Sequence, residues 1–299
     1  MPENANISVR DGDSRALEGF LSSARIAVIG GGKMGEAVIA GWIAAERGSA
    51  RYLAPSNFIV ANPGEQRRAY LEGAYGVSCV ADAREIDRAD VVILAVKPQV
   101  MIDVLESIAL LGAYSGGRCG PLFVSVAAGL SAARLESALA SGSRVVRTMP
   151  NTPLLAGCGV TAVAGGACAT AEDVALVHDL FACLGMACVV DEDTIDVIGA
   201  ISGSGPAYVA ALIEALRDAG ARLGLASQLA EKLAFETVRG TAELMVRTGE
   251  GAESTRIAVC SPKGTTLAAL SAMEEAGFSA SIDAGVAAAV RRSKELAAC

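Results

Sequence analysis

Residues 25–44 read "RIAVIGGGKMGEAVIAGWIA", and this stretch decides the fold. Ile26 to Ile29 form a short, continuous apolar run, the pattern of a strand buried on both faces. Gly30, Gly32 and Gly35 then spell G-x-G-x-x-G and open a helical pattern. Between a strand and a helix that motif has a mechanism. Its first glycine permits a tight turn, its second lets the backbone approach a pyrophosphate, and its third allows close helix–strand packing. The bland alternative is a glycine-rich turn with no ligand.

Further strands follow the same pattern: "NFIVANP" (57–63), "DVVILAVKP" (90–98), "PLFVSVAAG" (121–129), "RVVRTMP" (144–150), "GVTAVAGG" (159–166) and "MACVVDE" (186–192). Helical patterns lie between several of them, at 64–73, 100–111, 131–140 and 171–184. Apolar strands alternating with helices predict a parallel, doubly wound α/β sheet covered on both faces. After Glu192 the strand signals stop. Helices are expected through "GPAYVAALIEALRDAGARLG" and "SQLAEKLAFETVRGTAELMVRTG", then two more after "SPKGTT". The reading divides the chain into a flexible extension (1–23), a Rossmann-type dinucleotide-binding domain (24–192) and an all-helical dimerisation and substrate domain (193–299). The helical part is apolar on wider faces than a layer of its size buries alone, which predicts a homodimer interlocked through it.

Composition narrows the function. Of 299 residues 52% are hydrophobic and only 4% aromatic, so Ala, Val, Leu and Ile must fill the core. A net charge of −8 argues against nucleic acid as a partner and leaves any acidic substrate to a local site. The eight cysteines are scattered without a C-x-x-C and read as buried, reduced thiols. His178, the only histidine, sits on a surface or half-buried helix position, which disfavours a zinc site. The first 23 residues resemble neither a secretory signal nor a transit peptide, and no apolar stretch reads as a membrane span. The expectation is a cytoplasmic protein with no membrane contact.

The second strand selects the cofactor. An NAD site usually ends it with an acid for the ribose hydroxyls. Here it ends "VANPGEQRR", with Asn62 in place of the acid and Arg67 and Arg68 beyond. That favours NADPH over NADH, with plain solvated arginines as the alternative. Lys97 in "AVKP" either contacts cofactor phosphate or ribose or is a turn lysine. Asn151 in "VRTMPNTP" carries both a donor and an acceptor for an amide such as nicotinamide. "SGSGPAY" (202–208) suits close helix packing or catalysis, and Glu192 a site acid or a helix N-terminal acid. "CSPKGTT" (260–266) sets hydroxyls and backbone N–H groups before a helix, an anion grip without a strong base.

In order and spacing, "IGGGKMGEA", "AVKPQ", "SVAAGL", "RTMPNTP", "SGSGPAY", "SPKGTTLAAL" and "RRSKEL" resemble the pyrroline-5-carboxylate reductase family from about Arg25 to Leu296. The resemblance implies hydride transfer from NADPH, or NADH, to 1-pyrroline-5-carboxylate, giving L-proline. It also implies a Rossmann domain, a helical dimerisation domain, sites shared between subunits, and homodimers or assemblies of dimers. Carried over, Gly30, Gly32, Lys33, Met34 and Gly35 hold the pyrophosphate, with Asn62 and Arg67 near the adenosine ribose. Ala95, Val96, Lys97 and Pro98, with Ala127, Ala128, Gly129 and Asn151, line the nicotinamide half. Ser261, Lys263, Gly264 and Thr265 grip the substrate beside Glu192, and Thr266 lies next to the ring nitrogen. Two departures stand out: Cys260 for the usual Ser or Thr, and Lys263 for the commoner Gly. Lys263 either strengthens the hold on a carboxylate or points to solvent. An iminium substrate is already electrophilic, so positioning, worth about 7–11 kcal/mol in favourable cases, replaces a strong acid. The alternatives are a reductase of another cyclic imino acid and a silent NADP-binding regulatory protein.

Overall fold

A computed structural model of the chain describes residues 23–47, 50–51, 53–117 and 120–297; the expected extension lies, but for Ser23, outside them. The first strand, β1 (Ile26–Ile29), runs into helix α1 (Lys33–Ala44) through the glycine turn. A small hairpin, β2 (Glu46–Arg47) and β3 (Ala50–Arg51), precedes β4 (Phe58–Ala61), α2 (Glu65–Tyr75) and β5 (Ser78–Val80). Next come β6 (Val91–Leu94), α3 (Pro98–Ile108), β7 (Leu122–Ser125), α4 (Ala132–Ser137) and β8 (Arg144–Met149). The sheet closes with β9 (Gly159–Gly165), α5 (Ala171–Ala182) and β10 (Gly185–Val189).

Eight strands form one sheet in the order β10-β9-β8-β7-β6-β1-β4-β5. Because side chains alternate along a strand, β1 feeds two cores. Ile26 and Val28 join Val38 and Trp42 of α1 on one face; Ala27 and Ile29 join Met101, Leu105 and Ile108 of α3 on the other. Trp42 also donates its indole N–H to the Leu180 carbonyl at 2.6 Å and packs on Phe181, which fastens α1 to α5.

One pair departs from the expected all-parallel sheet: β8 and β9 are antiparallel. The cause is legible in the chain. A parallel return needs a crossover of roughly a dozen residues or more, and only the short 3₁₀ turn Thr152–Ala156 connects these strands. The three-residue edge strand β5 is too short and half-polar to show in the periodicity.

The remaining helices are α6 (Ile195–Ile198), continued by a π turn at Gly199–Gly203, α7 (Gly205–Arg222), α8 (Ser227–Thr248), α9 (Ala252–Ala258), α10 (Thr265–Glu275) and α11 (Phe278–Ala297). Two compact units result, dividing between Gly203 and Ser204, with the chain rejoining the first unit at Val290. That division lies past the residue 192 of the sequence reading. Residues 195–203 are helical yet pack within the first unit: Ile195 is buried with Ala162 and Ala164 of β9. Met149 lies so close that a Cβ on Gly203 would come within 2.8 Å of its terminal carbon, which explains one glycine of "SGSGPAY" by packing.

Within the helical stretch Glu192–Arg222 one 18-residue segment reaches a mean hydropathy of 1.3, enough by length and composition alone to cross a membrane. A single segment of this kind, in a stretch interrupted by the π turn at Gly199–Gly203, leaves the expectation of no membrane span in place. One expectation from composition changes. Cys158 and Cys168 are exposed, so burial does not hold for every thiol; Cys79, Cys183, Cys188 and Cys260 are partly buried, and all six are free. Burial pushes the Cys183 thiol up to about 12. His178 is half-buried beside Asp179, and no metal-ligating cluster occurs among the described residues.

Candidate active site

Strands β1, β4, β6, β7 and β8 are mutually parallel, so the turns that follow them share one edge of the sheet. These turns carry the expected cofactor residues: 30–35, 62–67, 95–98, 127–129 and Asn151. The chain order reverses at β1, which lies between β4 and β6, and ligands of open α/β sheets bind at such a switch point.

The glycine loop has the shape a pyrophosphate needs. Gly30 has φ +108, and a Cβ there would lie 2.7 Å from the Ala95 carbonyl, so the turns after β1 and β6 touch through glycine alone. A Cβ on Gly35 would strike the Gly30 carbonyl oxygen, whereas one on Gly32 would meet nothing within 4 Å. The first and third glycines thus close the turn, and the middle one leaves open space. Helix α1 has no side-chain cap at Gly32, and the N–H groups of Gly32 and Lys33 find no acceptor among the described residues. Bare N–H groups and the positive end of the helix dipole suit an anion. Lys33 and Lys97 are exposed at this edge, and Met34 packs partly against the core. These residues fit a dinucleotide.

Helix α4 forms the contrast. Ser131 caps the Arg134 N–H, and Glu192 Oε1 accepts the Ala132 N–H at 2.6 Å. Glu192 also receives Arg147 Nη1 at 3.4 Å, and Arg147 Nη2 reaches Asp196 at 2.9 Å. Arg147 is itself buried, and one of its nitrogens, Nε, finds no partner. Glu192 therefore closes a helix N-terminus in the first unit beside Ala127–Gly129. Asn151, read as a nicotinamide contact, braces its own turn: Oδ1 accepts the Val160 N–H at 2.8 Å and Nδ2 donates to the Ser202 carbonyl at 3.0 Å.

At the adenosine end, Asn62 Oδ1 accepts the Gly31 N–H at 3.3 Å. Arg67 folds onto the glycine loop: Nε donates to the Gly31 carbonyl at 2.5 Å, and Nη2 meets the Gly32 carbonyl and the Glu36 carboxylate. Tyr70 and Tyr75 both donate hydroxyls to Glu36, at 2.9 and 2.8 Å. Burial alone would raise the Glu36 carboxyl, but these donors and the Arg67 charge outweigh it and hold it below its ordinary value. Burial and the adjoining carboxylate push the Tyr75 phenol up. Sequence reading did not single out Glu36, Tyr70 or Tyr75; the available signal was an acid one residue after the last motif glycine.

The second unit presents the "CSPKGTT" loop. Lys263 has φ +61, the left-handed region, and is the one non-glycine with positive φ among the described residues. Such a residue costs about 1–2 kcal/mol, which explains why glycine is the commoner choice here. Gly264 turns into α10, its N–H bonding the Ser261 carbonyl at 2.9 Å. No side chain caps α10, and the N–H groups of Thr265, Thr266 and Leu267 find no acceptor among the described residues. Ser261, Lys263 and Thr265 are exposed around them.

Residues 192–296 match the family model described as pyrroline-5-carboxylate reductase dimerisation, and residues 25–129 match one described as NADP oxidoreductase coenzyme F420-dependent. The pyrroline-5-carboxylate reductase of Synechocystis is 40% identical over 275 residues, 92% of this chain and 98% of that one. This chain belongs to the pyrroline-5-carboxylate reductase family. The Escherichia coli reductase is 36% identical over 273 residues, 91% of this chain and 98% of its own. Among solved structures, the Coxiella burnetii pyrroline-5-carboxylate reductase superposes with a TM-score of 0.81 at 33% identity, covering 92% of this chain and 99% of that one. The Plasmodium falciparum pyrroline carboxylate reductase with NADP bound gives 0.81 at 27% identity, covering 93% and 99%. Membership makes the chain an NAD(P)H-dependent oxidoreductase, and its helical half serves self-association.

Proposed function

We propose that this chain reduces 1-pyrroline-5-carboxylate to L-proline, with NADPH as the preferred donor, as a cytoplasmic homodimer or assembly of dimers. The observation that carries the reading is an uncapped glycine turn at a sheet switch point together with an uncapped hydroxyl loop at α10, in a chain akin to these reductases over nearly its whole length.

The bound cofactor supplies hydride from its nicotinamide ring. The N–H groups of Gly32 and Lys33 hold the pyrophosphate against the α1 dipole, and Ala95–Pro98 and Ala127–Gly129 line the nicotinamide half. Asn151 and Glu192 act by positioning: the first ties the turn after β8 to Ser202, and the second fixes the start of α4. Ser261 and the uncapped N–H groups of Thr265 and Thr266 anchor the substrate carboxylate, with Lys263 beside them and Gly264 shaping the turn. Thr266 orients the ring nitrogen. Hydride reaches the imine carbon and one proton resides on nitrogen, so the chemistry needs no histidine and no buried acid.

The test is oxidation of NADPH, followed by its near-ultraviolet absorbance, on mixing protein with pyrroline-5-carboxylate. NADH and the six-membered imino acid are run alongside. Rapid turnover selective for the five-membered ring and for NADPH is expected. A silent trace despite tight NADPH binding overturns the reading and favours a binding protein.

A further inference from the structure

Arg67 and Arg68 are neighbours in sequence, yet the structure gives them different work. Arg67 is committed to the glycine loop. Its contacts to the Gly31 and Gly32 carbonyls fix two peptide planes, and because a trans peptide points C=O and N–H in opposite directions, the Gly32 and Lys33 N–H groups are turned away from it. Glu36, only 17% exposed along its side chain, neutralises Arg67, and the Tyr70 ring packs over the guanidinium at 5.1 Å. A second anion brought to Arg67 would meet a desolvated carboxylate of like charge.

Arg68 is parked at the end of β4. Its Nη1 donates to the Asn62 carbonyl at 2.9 Å and to the Pro63 carbonyl at 2.8 Å. Those bonds hold the guanidinium where an NAD site keeps its acid, while Nη2 and Nε stay without partners among the described residues. No carboxylate lies within 4 Å of it among the described residues, so its charge is uncompensated, unlike that of Arg67. A fixed, unpaired guanidinium with donors to spare suits a phosphate.

We propose that Arg68, and not Arg67, reads the 2′-phosphate of NADPH, and that Arg67 is the positioning residue that shapes the glycine loop. The inference rests on the cofactor half of the proposed function and does not depend on the substrate. Titration calorimetry of the full chain with NADPH, NADH, adenosine 2′,5′-bisphosphate and 5′-AMP tests it. The last two ligands differ only in the 2′-phosphate. The wild type is expected to prefer the phosphorylated member of each pair. Arg68→Ala weakens that member by roughly tenfold or more, the scale of a lost charge-assisted contact, and leaves NADH and 5′-AMP within about twofold. Arg67→Ala weakens NADPH and NADH by similar factors. Arg68→Lys, which retains the charge, keeps part of the preference and serves if the alanine variant melts early. The salt dependence of bisphosphate binding becomes shallower in Arg68→Ala, which a merely structural change leaves untouched. Equal losses for both members of a pair in Arg68→Ala, selective loss in Arg67→Ala, or no preference in the wild type overturns the inference. Since no imino acid enters any arm, a chain that binds as expected yet reduces no cyclic imine overturns the proposed reaction and leaves Arg68 standing.

Discussion

Trp42 in the first unit is completely buried, while Leu223 and Val246 in the second are 89% and 80% exposed. The two regions use apolar residues for different ends. Around β1 they fill both faces of the sheet, and a buried side chain of this kind stabilises by roughly 1.5–3 kcal/mol. Helix α7 has no buried residue and α8 only Ala230 and Ala234, although Leu216, Leu229, Leu233, Phe235 and Leu244 all lie on them. Exposed apolar surface on this scale marks an association face, in accord with the dimerisation model that matches residues 192–296. One unit completes its core alone; the other completes it with a partner.

The strongest way to break that comparison is to empty the first core. Trp42→Ala removes the indole, its bond to Leu180 and its packing on Phe181, and is expected to cost about 3–5 kcal/mol. Calorimetric melting should fall by many degrees while assembly below the transition is unchanged. Loss of assembly without loss of melting temperature would mean the two regions do not divide their labour this way.

Phe235→Glu is the converse. A charge on the exposed face of α8 should shift the protein toward monomer in light scattering, because a two-fold interface repeats the lesion on each side. An unchanged mass would make that face ordinary solvated surface.

Thr266→Ala touches neither core. Turnover should fall by roughly a hundredfold while NADPH affinity stays within about twofold, which separates the loop's chemistry from the sheet's binding. Equal losses in both would remove Thr266 from its assigned place.

The smallest effect is expected at Lys263. Lys263→Gly relieves the left-handed backbone and should be stabilising by about 1 kcal/mol. Lys263→Ala keeps the strain and removes the ammonium. A KM for the imino acid that rises in both variants assigns Lys263 to the carboxylate; one that stays put in both assigns it to solvent.

Local pattern made most of the first unit legible. The seven strands read from apolar runs all occur and each begins within one residue of its run, though β6, β7 and β10 end three or four residues before their runs do; the helix after the glycines begins at Lys33. What escaped was set by lengths and neighbours: the antiparallel β9, decided by a connection too short to cross over, and β5, three residues on a sheet edge. At the candidate site the residue types were visible but their partners were not. Asn151 and Glu192 carry the right chemistry for ligands, yet each spends hydrogen bonds on backbone distant in sequence, at Val160, Ser202 and Ala132. The exposed, left-handed Lys263 shows how a departure from the family pattern became a question of backbone only once φ was known.

The sequence by itself determined the glycine turn, the alternation of strand and helix, the switch to an all-helical half and the hydroxyl loop before α10. Each depends on periodicities of two and 3.6 residues or on contiguous motifs, and such signals survive in one dimension. Only the tertiary structure decided which arginine neutralises Glu36 and which stays unpaired, which helix N-termini are open and which are closed, and where the first unit ends. Those outcomes depend on distances between segments tens of residues apart, and the energy of a charge or a bare N–H is set by what folding brings beside it.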